Sequence, residues 1–104
     1  MFTEAIMLCG GVGEAKDATK EIQDLIDMVK GQVLSFLTGK KDDYKAVTYS
    51  MQVVAGRNYF VKIKVLDDEC VHVRIYQPLG PDHVNLKVVG VQQGKKHEDE
   101  LIPF

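Results

Sequence analysis

The chain has 104 residues, of which 45% are hydrophobic and 27% are charged, and its formal net charge is −2. These values are ordinary for one folded domain and exclude an intrinsically disordered chain. A slightly acidic chain has no electrostatic attraction to nucleic acid or to an anionic membrane, and it contains no apolar run of membrane-spanning length. We therefore expect a single domain over residues 1–104 that binds neither nucleic acid nor a membrane.

Cysteine usage bears on the cellular compartment. The two cysteines are Cys9 and Cys70, whereas small secreted domains often carry several disulfide bridges. One bridge between them is conceivable, but two free thiols in a reducing compartment are favoured. Because the first eight residues make a poor signal peptide, we expect a cytoplasmic protein. The protein should be a monomer, although Cys9 could link two copies into a dimer.

The first predicted elements are a flexible N-terminal segment and a helix. Glycines at positions 10, 11 and 13 predict that residues 1–11 are flexible. Asp17 or Thr19 can then cap a helix. Apolar residues recur at helical spacing until Gly39, namely Ile22, Leu25, Ile26, Val29, Val33 and Phe36. This stripe predicts one long α-helix with one buried face.

From residue 44 onward, the apolar period changes from helical spacing to two. Odd-numbered positions are apolar in segments 47–53, 59–65 and 71–75, and a last strand fits residues 85–92. Such alternation is typical of antiparallel strands with one buried face. A further strand near residues 6–8 is weakly indicated. The prediction is an α+β fold in which one long α-helix packs on a four- to five-stranded antiparallel β-sheet.

No constellation of residues predicts catalysis. Cys70 and His72 are two apart on a strand and share a face, but the neighbouring residues Lys62, Lys64 and Arg74 indicate that this face is exposed to solvent. A nucleophilic pair needs an orienting third group and a pocket. The three histidines and the cysteines also lack metal-ligand spacing. We expect no catalytic residue, no metal site and no cofactor, and therefore a protein that is not an enzyme.

Apolar residues also occur at the predicted loop ends, where polar turn residues are usual. Residues 53–56 occupy a hairpin end, Leu79 lies in the predicted loop at residues 78–84, and Leu8 precedes Gly10 by two positions. These residues could fold back onto the core. Three such features together favour an apolar binding edge.

The hairpin end carries a specific motif. Gln52-Val53-Val54-Ala55-Gly56 resembles the signature of the cystatin superfamily. Residues 58–65, residues 71–77 and the C-terminal segment 96–104 are similar to the corresponding parts of the stefins, the type 1 cystatins. The resemblance covers residues 7–104 in order.

The resemblance implies a cystatin-like fold and a reversible, tight-binding, non-covalent inhibitor of papain-like cysteine proteases of the cathepsin type. In this family the N-terminal segment and two hairpin loops form a wedge that enters the active-site cleft. The implied protease-binding residues are Leu8, Cys9, Gly10, Gln52, Val53, Val54, Ala55, Gly56, Leu79 and Gly80.

The second loop departs from the family pattern. Stefins usually have Leu-Pro there, whereas this chain has Leu79-Gly80-Pro81. Because glycine is more permissive than proline, we expect a less pre-ordered loop that contributes less to binding. The alternative function is a non-inhibitory protein-binding module on the same fold.

Overall fold

The computed structural model describes residues 13–104. Predictions for Leu8, Cys9, Gly10, the strand near residues 6–8 and the flexible segment 1–11 therefore fall outside the described residues. Within the described range, the elements in chain order are β1 (Lys16–Asp17), α1 (Lys20–Met28), α2 (Lys30–Phe36), β2 (Lys45–Val54), β3 (Gly56–Leu66), β4 (Glu69–Gln77) and β5 (Lys87–Lys95). The strands form one antiparallel sheet in the order β1-β2-β3-β4-β5.

The α+β class is confirmed, but the prediction of one long helix is wrong. The helical stretch is divided at Val29, whose φ of −107° and ψ of 13° depart from helical values. Val29 is β-branched and Gly31 follows two residues later, and both are weaker helix formers than alanine. The backbone N–H of Val33 donates to the Val29 carbonyl at 3.0 Å, so helical hydrogen bonding resumes at once after this single residue.

The start of α1 settles which residue caps it. Thr19 is the N-cap, and its Oγ1 accepts a hydrogen bond from the Ile22 backbone N–H at 3.3 Å. Asp17, the other candidate, belongs to the two-residue strand β1 and pairs with Thr48 of β2. A helix-capping hydroxyl of this kind contributes about 1 kcal/mol.

The core lies between the helices and one face of the sheet. Its buried residues are Ile22, Ile26, Val29, Val33, Ala46, Val61, Ile63, Val65, Val71, Val73, Ile75 and Val88. The predicted helical stripe is buried except at its margins, since Leu25 is only partly buried and Phe36 is 47% exposed. In β2 the register shifts between Ala46 and Thr48, which explains why Ala46 rather than Val47 is in the core.

The outer face of the sheet is covered, so the prediction that it is exposed is wrong. Lys62 is 5% exposed, and Cys70 and His72 are each 1% exposed. The C-terminal segment 96–104 crosses this face. The Lys62 ammonium donates to the carbonyl of His97 at 2.6 Å and to that of Asp99.

Two further contacts fix the end of the C-terminal segment. Arg74 donates to the carbonyl of Phe104 at 3.1 Å, and the Phe104 ring meets the Phe60 ring edge-on with 5.8 Å between centroids. Leu101 is 7% exposed, whereas Ile102 is 59% exposed. The expectation that this segment could dock on the sheet is therefore met by Leu101 and Phe104 but not by Ile102.

Neither of the two helices that the structure describes is long and apolar enough to cross a membrane.

Candidate functional site

Strand register brings two loops to the same end of the sheet. β2 and β3 form a hairpin in which Val54 pairs with Gly56, so Ala55 alone forms the tip. β4 runs antiparallel to β3, and its last residue, Gln77, pairs with Arg57 just after that tip. The first loop, residues 52–56, and the second loop, residues 78–84, are therefore neighbours.

Close backbone approach explains the glycine of the first loop. Gly56 has a φ of +109°, which L side chains rarely adopt, and a Cβ atom there would lie 2.4 Å from the Gln77 backbone carbonyl oxygen and 2.9 Å from the Tyr76 hydroxyl oxygen. That hydroxyl donates a hydrogen bond to the Ala55 carbonyl. Tyr76 of β4 thus fastens the tip, while Ala55 and Val53 remain exposed, Val53 by 49%.

A polar contact braces the base of the first loop. Gln52 pairs with Asn58 across the hairpin, and the Asn58 amide nitrogen donates to Gln52 Oε1 at 3.2 Å. Asn58 is 4% exposed, so this bond lies largely out of water. Gln52 is thereby part of the support of the loop. Beyond it Val53 and Ala55 are exposed, whereas Val54 is half-buried and Gly56 is buried.

The second loop is a hydrogen-bonded turn. Residues Gly80–Asp82 form one turn of 3-10 helix, and Leu79 just before it is 68% exposed. The His83 backbone N–H donates to the Gly80 carbonyl at 3.0 Å. The Gln77 side-chain amide donates to the His83 carbonyl at 3.2 Å, which connects the loop to the end of β4.

An open cleft of about 230 Å³ lies between the two loops. Its lining residues are Gly56, Arg57, Gln77, Pro78, Leu79, Gly80 and His83. Sequence reasoning missed Arg57, Tyr76, Gln77 and His83 as site residues. The sequence held a signal for Arg57, Tyr76 and Gln77, because in an antiparallel meander the residues that follow one hairpin tip pair with the end of the next strand.

The Cys70–His72 pair lies away from the two loops and is buried. Both side chains lie beneath the C-terminal segment, where His72 pairs with Lys62. Burial raises the pKa of the Cys70 thiol, which favours its unreactive protonated form. Burial, with help from the nearby Lys62 and Lys95, lowers the pKa of His72 to about 4, so its imidazole is a weak base.

Metal binding finds no support over residues 13–104, where no group of three or more His, Cys, Asp or Glu side chains could hold an ion. The arrangement at the loops offers exposed apolar tips on a braced backbone. Such a site can bind a concave protein surface.

Comparison with known proteins identifies relatives of the whole described domain. A model of the cystatin domain matches residues 10–98. Over 98 residues the chain is 40% identical to Cystatin-B of Mus musculus and 38% identical to Cystatin-A of Felis catus, covering 94% of this chain and 100% of each relative. It is 39% identical over 98 residues to leukocyte cysteine proteinase inhibitor 1 of Sus scrofa, covering 94% of this chain and 95% of that protein.

Proposed function

The chain belongs to the cystatin family, and we propose that it is a reversible, tight-binding, non-covalent inhibitor of papain-like cysteine proteases. The family assignment identifies an inhibitor rather than an enzyme. One relative is named as a cysteine proteinase inhibitor, which supports the class of target.

The observation that carries this proposal is the meeting of two exposed apolar loops at one end of the sheet. Val53 and Leu79 are 49% and 68% exposed, although both are apolar. Val53 pairs with Arg57 near the end of β2, and Leu79 comes two residues after the end of β4, so the strand register fixes the ends that carry both residues. Their backbone is already folded, so little conformational entropy is lost when they dock. This geometry supports a wedge that fills an active-site cleft.

A turned loop explains how the wedge would escape cleavage. Proteolysis requires a peptide carbonyl at near-attack distance from the catalytic thiolate. The hairpin places a single residue, Ala55, at its tip and hydrogen-bonds the Ala55 carbonyl to Tyr76. The small side chains of Val54, Ala55 and Gly56 let this backbone approach the cleft walls without presenting an extended peptide to the nucleophile.

The N-terminal residues Leu8, Cys9 and Gly10 belong to the same proposal. Lys16 pairs with Tyr49, and the Gly13 backbone N–H donates to the Met51 carbonyl at 3.3 Å. Going toward the N-terminus, the chain therefore advances along β2 toward the first loop. This direction supports a role for Leu8 and Cys9 beside the loops, with Gly10 as a pivot.

A cytoplasmic, monomeric protein completes the proposal. Cys70 is a free thiol that is 1% exposed, as suits a reducing compartment. Subcellular fractionation with an antibody to this chain tests the location, and a protein recovered only in the secreted fraction would contradict it.

Inhibition of papain tests the function, and a charge at the loop tip tests the wedge. Val53→Asp places a carboxylate where an apolar cleft must desolvate it, so the inhibition constant should rise by a factor of about 100. Leu34→Asp is the matched control. Leu34 is 40% exposed on α2. The carbonyl of Phe36, two residues further along that helix, accepts a hydrogen bond from Gln93, which lies toward the opposite end of the sheet.

The two parts of the proposal fail separately. Wild-type protein that leaves papain active at micromolar concentration would reject inhibition and favour a non-inhibitory module, whose edge strands could pair with a partner. Wild-type inhibition with equal effects of Val53→Asp and Leu34→Asp would retain inhibition and reject the wedge. Thermal melting of each variant separates loss of binding from loss of folding.

A further inference from the structure

The backbone conformation of Gly80 raises the question of what holds the second loop. Gly80 has a φ of +73°, and a Cβ atom built there would meet nothing within 4 Å. Side-chain packing therefore does not hold this residue. Pro81 fixes its own φ and narrows the ψ range of Gly80, but it does not fix the φ of Gly80. Without another restraint, the exposed Leu79 just before it would sample many positions.

His83 supplies this restraint. Its ring Nδ1 lies 2.9 Å from the Gly80 carbonyl oxygen, which also accepts the His83 backbone N–H at 3.0 Å. Because a carbonyl oxygen can only accept, Nδ1 carries the proton and donates. The Gly80 carbonyl is thus held by two donors from one residue.

The same residue is tied to the sheet. The His83 carbonyl accepts a hydrogen bond from the Gln77 side chain at 3.2 Å, and Gln77 is the last residue of β4. A continuous set of bonds therefore runs from the sheet through His83 to Gly80. Leu79 is joined to Gly80 by one peptide bond, so its position depends on these hydrogen bonds.

We propose that His83 is a positioning residue that pre-orders Leu79 for docking, through its Nδ1–H bond to the Gly80 carbonyl. The inference rests on the proposed protease inhibition and adds the device by which this chain orders a loop that has glycine after the exposed leucine. His83 acts through Leu79 and need not touch the protease.

Variants at position 83 separate the side-chain bond from the rest of the residue. His83→Ala removes the donor, and the dissociation rate from papain should rise about fivefold, the effect expected of one hydrogen bond. His83→Asn places an amide nitrogen near the position of Nδ1 and should dissociate like the wild type. His97→Ala, at another exposed histidine outside both loops, should change nothing.

A double variant tests whether His83 acts through Leu79. Leu79→Ala alone should speed dissociation, and adding His83→Ala should then have no further effect. A full fivefold effect of His83→Ala in the Leu79→Ala background would show direct contact with the protease and overturn the inference. An Asn variant as fast as the Ala variant would overturn it as well, because the donor would then be irrelevant.

Failure of this inference is distinguishable from failure of the proposed function. Wild-type protein that does not inhibit papain overturns both. Wild-type inhibition with unchanged dissociation of His83→Ala overturns this inference alone. Melting temperatures should be equal across the position-83 variants, because His83 is exposed and lies outside the core.

Discussion

Acidification should destabilise this protein through His72. The side chain is 1% exposed beneath the C-terminal segment, and its Nε2 has no hydrogen-bond partner among residues 13–104. Protonation would place a cation among Lys62 of β3 and Lys95 of β5, with Asp99 of the C-terminal segment as the one opposing charge that affects its pKa. The folded state therefore resists protonation of this imidazole.

The size of the effect follows from the two protonation equilibria. Burial, followed by Lys62 and Lys95, lowers the pKa of His72 from 6.5 to about 4. Since the unfolded chain binds the proton more readily, stability falls as the pH drops below 6.5 and levels off below the folded pKa. At 1.36 kcal/mol per pKa unit, the loss is about 2 kcal/mol between pH 7 and pH 4.5 and about 3 kcal/mol at lower pH.

Urea unfolding at these two pH values measures the loss. His72→Gln removes the titrating group with a neutral side chain of similar size, and His97→Gln is the matched control because His97 is exposed. Carboxylates contribute equally in all three proteins, so the difference between wild type and His72→Gln isolates His72. The wild type and His97→Gln should lose about 2 kcal/mol more than His72→Gln on acidification.

Equal losses in the wild type and His72→Gln would refute this reasoning. Such a result would mean that the C-terminal segment opens at little cost and admits water to the imidazole. Proton titration of His72 by nuclear magnetic resonance would then give a pKa near 6.5 rather than 4.

Two further predictions concern the wedge. Gly56→Ala should weaken papain inhibition at least tenfold and also lower the melting temperature, because the new Cβ would lie 2.4 Å from the Gln77 backbone carbonyl oxygen and 2.9 Å from the Tyr76 hydroxyl oxygen; unchanged inhibition would show that tip geometry is unimportant. A chain starting at Val12 should melt like the full chain, since Gly13 keeps its bond to Met51. It should associate with papain at a similar rate and dissociate faster, whereas identical progress curves would exclude Leu8 and Gly10 from the interface.

Much of the fold could be predicted from the sequence, because side chains of a strand alternate between the two faces of the sheet and buried apolar residues therefore recur at every second position. Alternation at two residues identified Val61, Ile63, Val73 and Ile75 as core residues, and all are fully buried. The helical stripe identified Ile26 in the same way. The break at Val29 was not predicted, because the apolar spacing is the same for one helix and for two helices in line.

The exposed apolar residues of the candidate site could be predicted from the sequence, but the hydrogen bonds that hold its two loops in place could not. Exposed apolar residues in a loop are visible in the sequence, as Val53 and Leu79 show. The hydroxyl of Tyr76 and the imidazole of His83 act on carbonyl groups, whose positions depend on register and turn geometry. Strand spacing could place Tyr76 beside the first loop, but no residue pattern encodes that its hydroxyl binds the Ala55 carbonyl or that the His83 ring binds the Gly80 carbonyl of its own loop.

The outer face of the sheet marks the division between what the sequence and the tertiary structure determine. Alternation alone determines that Lys62 and His72 share a face, because adjacent strand residues point to opposite sides. Only the tertiary structure determines that these side chains are buried from solvent. Docking of Leu101 and Phe104 brings the carbonyl groups of His97 and Asp99 over the Lys62 ammonium. From the sequence pattern alone, Lys62 is expected to be exposed. The acceptors that permit its burial are backbone carbonyl oxygens 35 and 37 residues further along the chain.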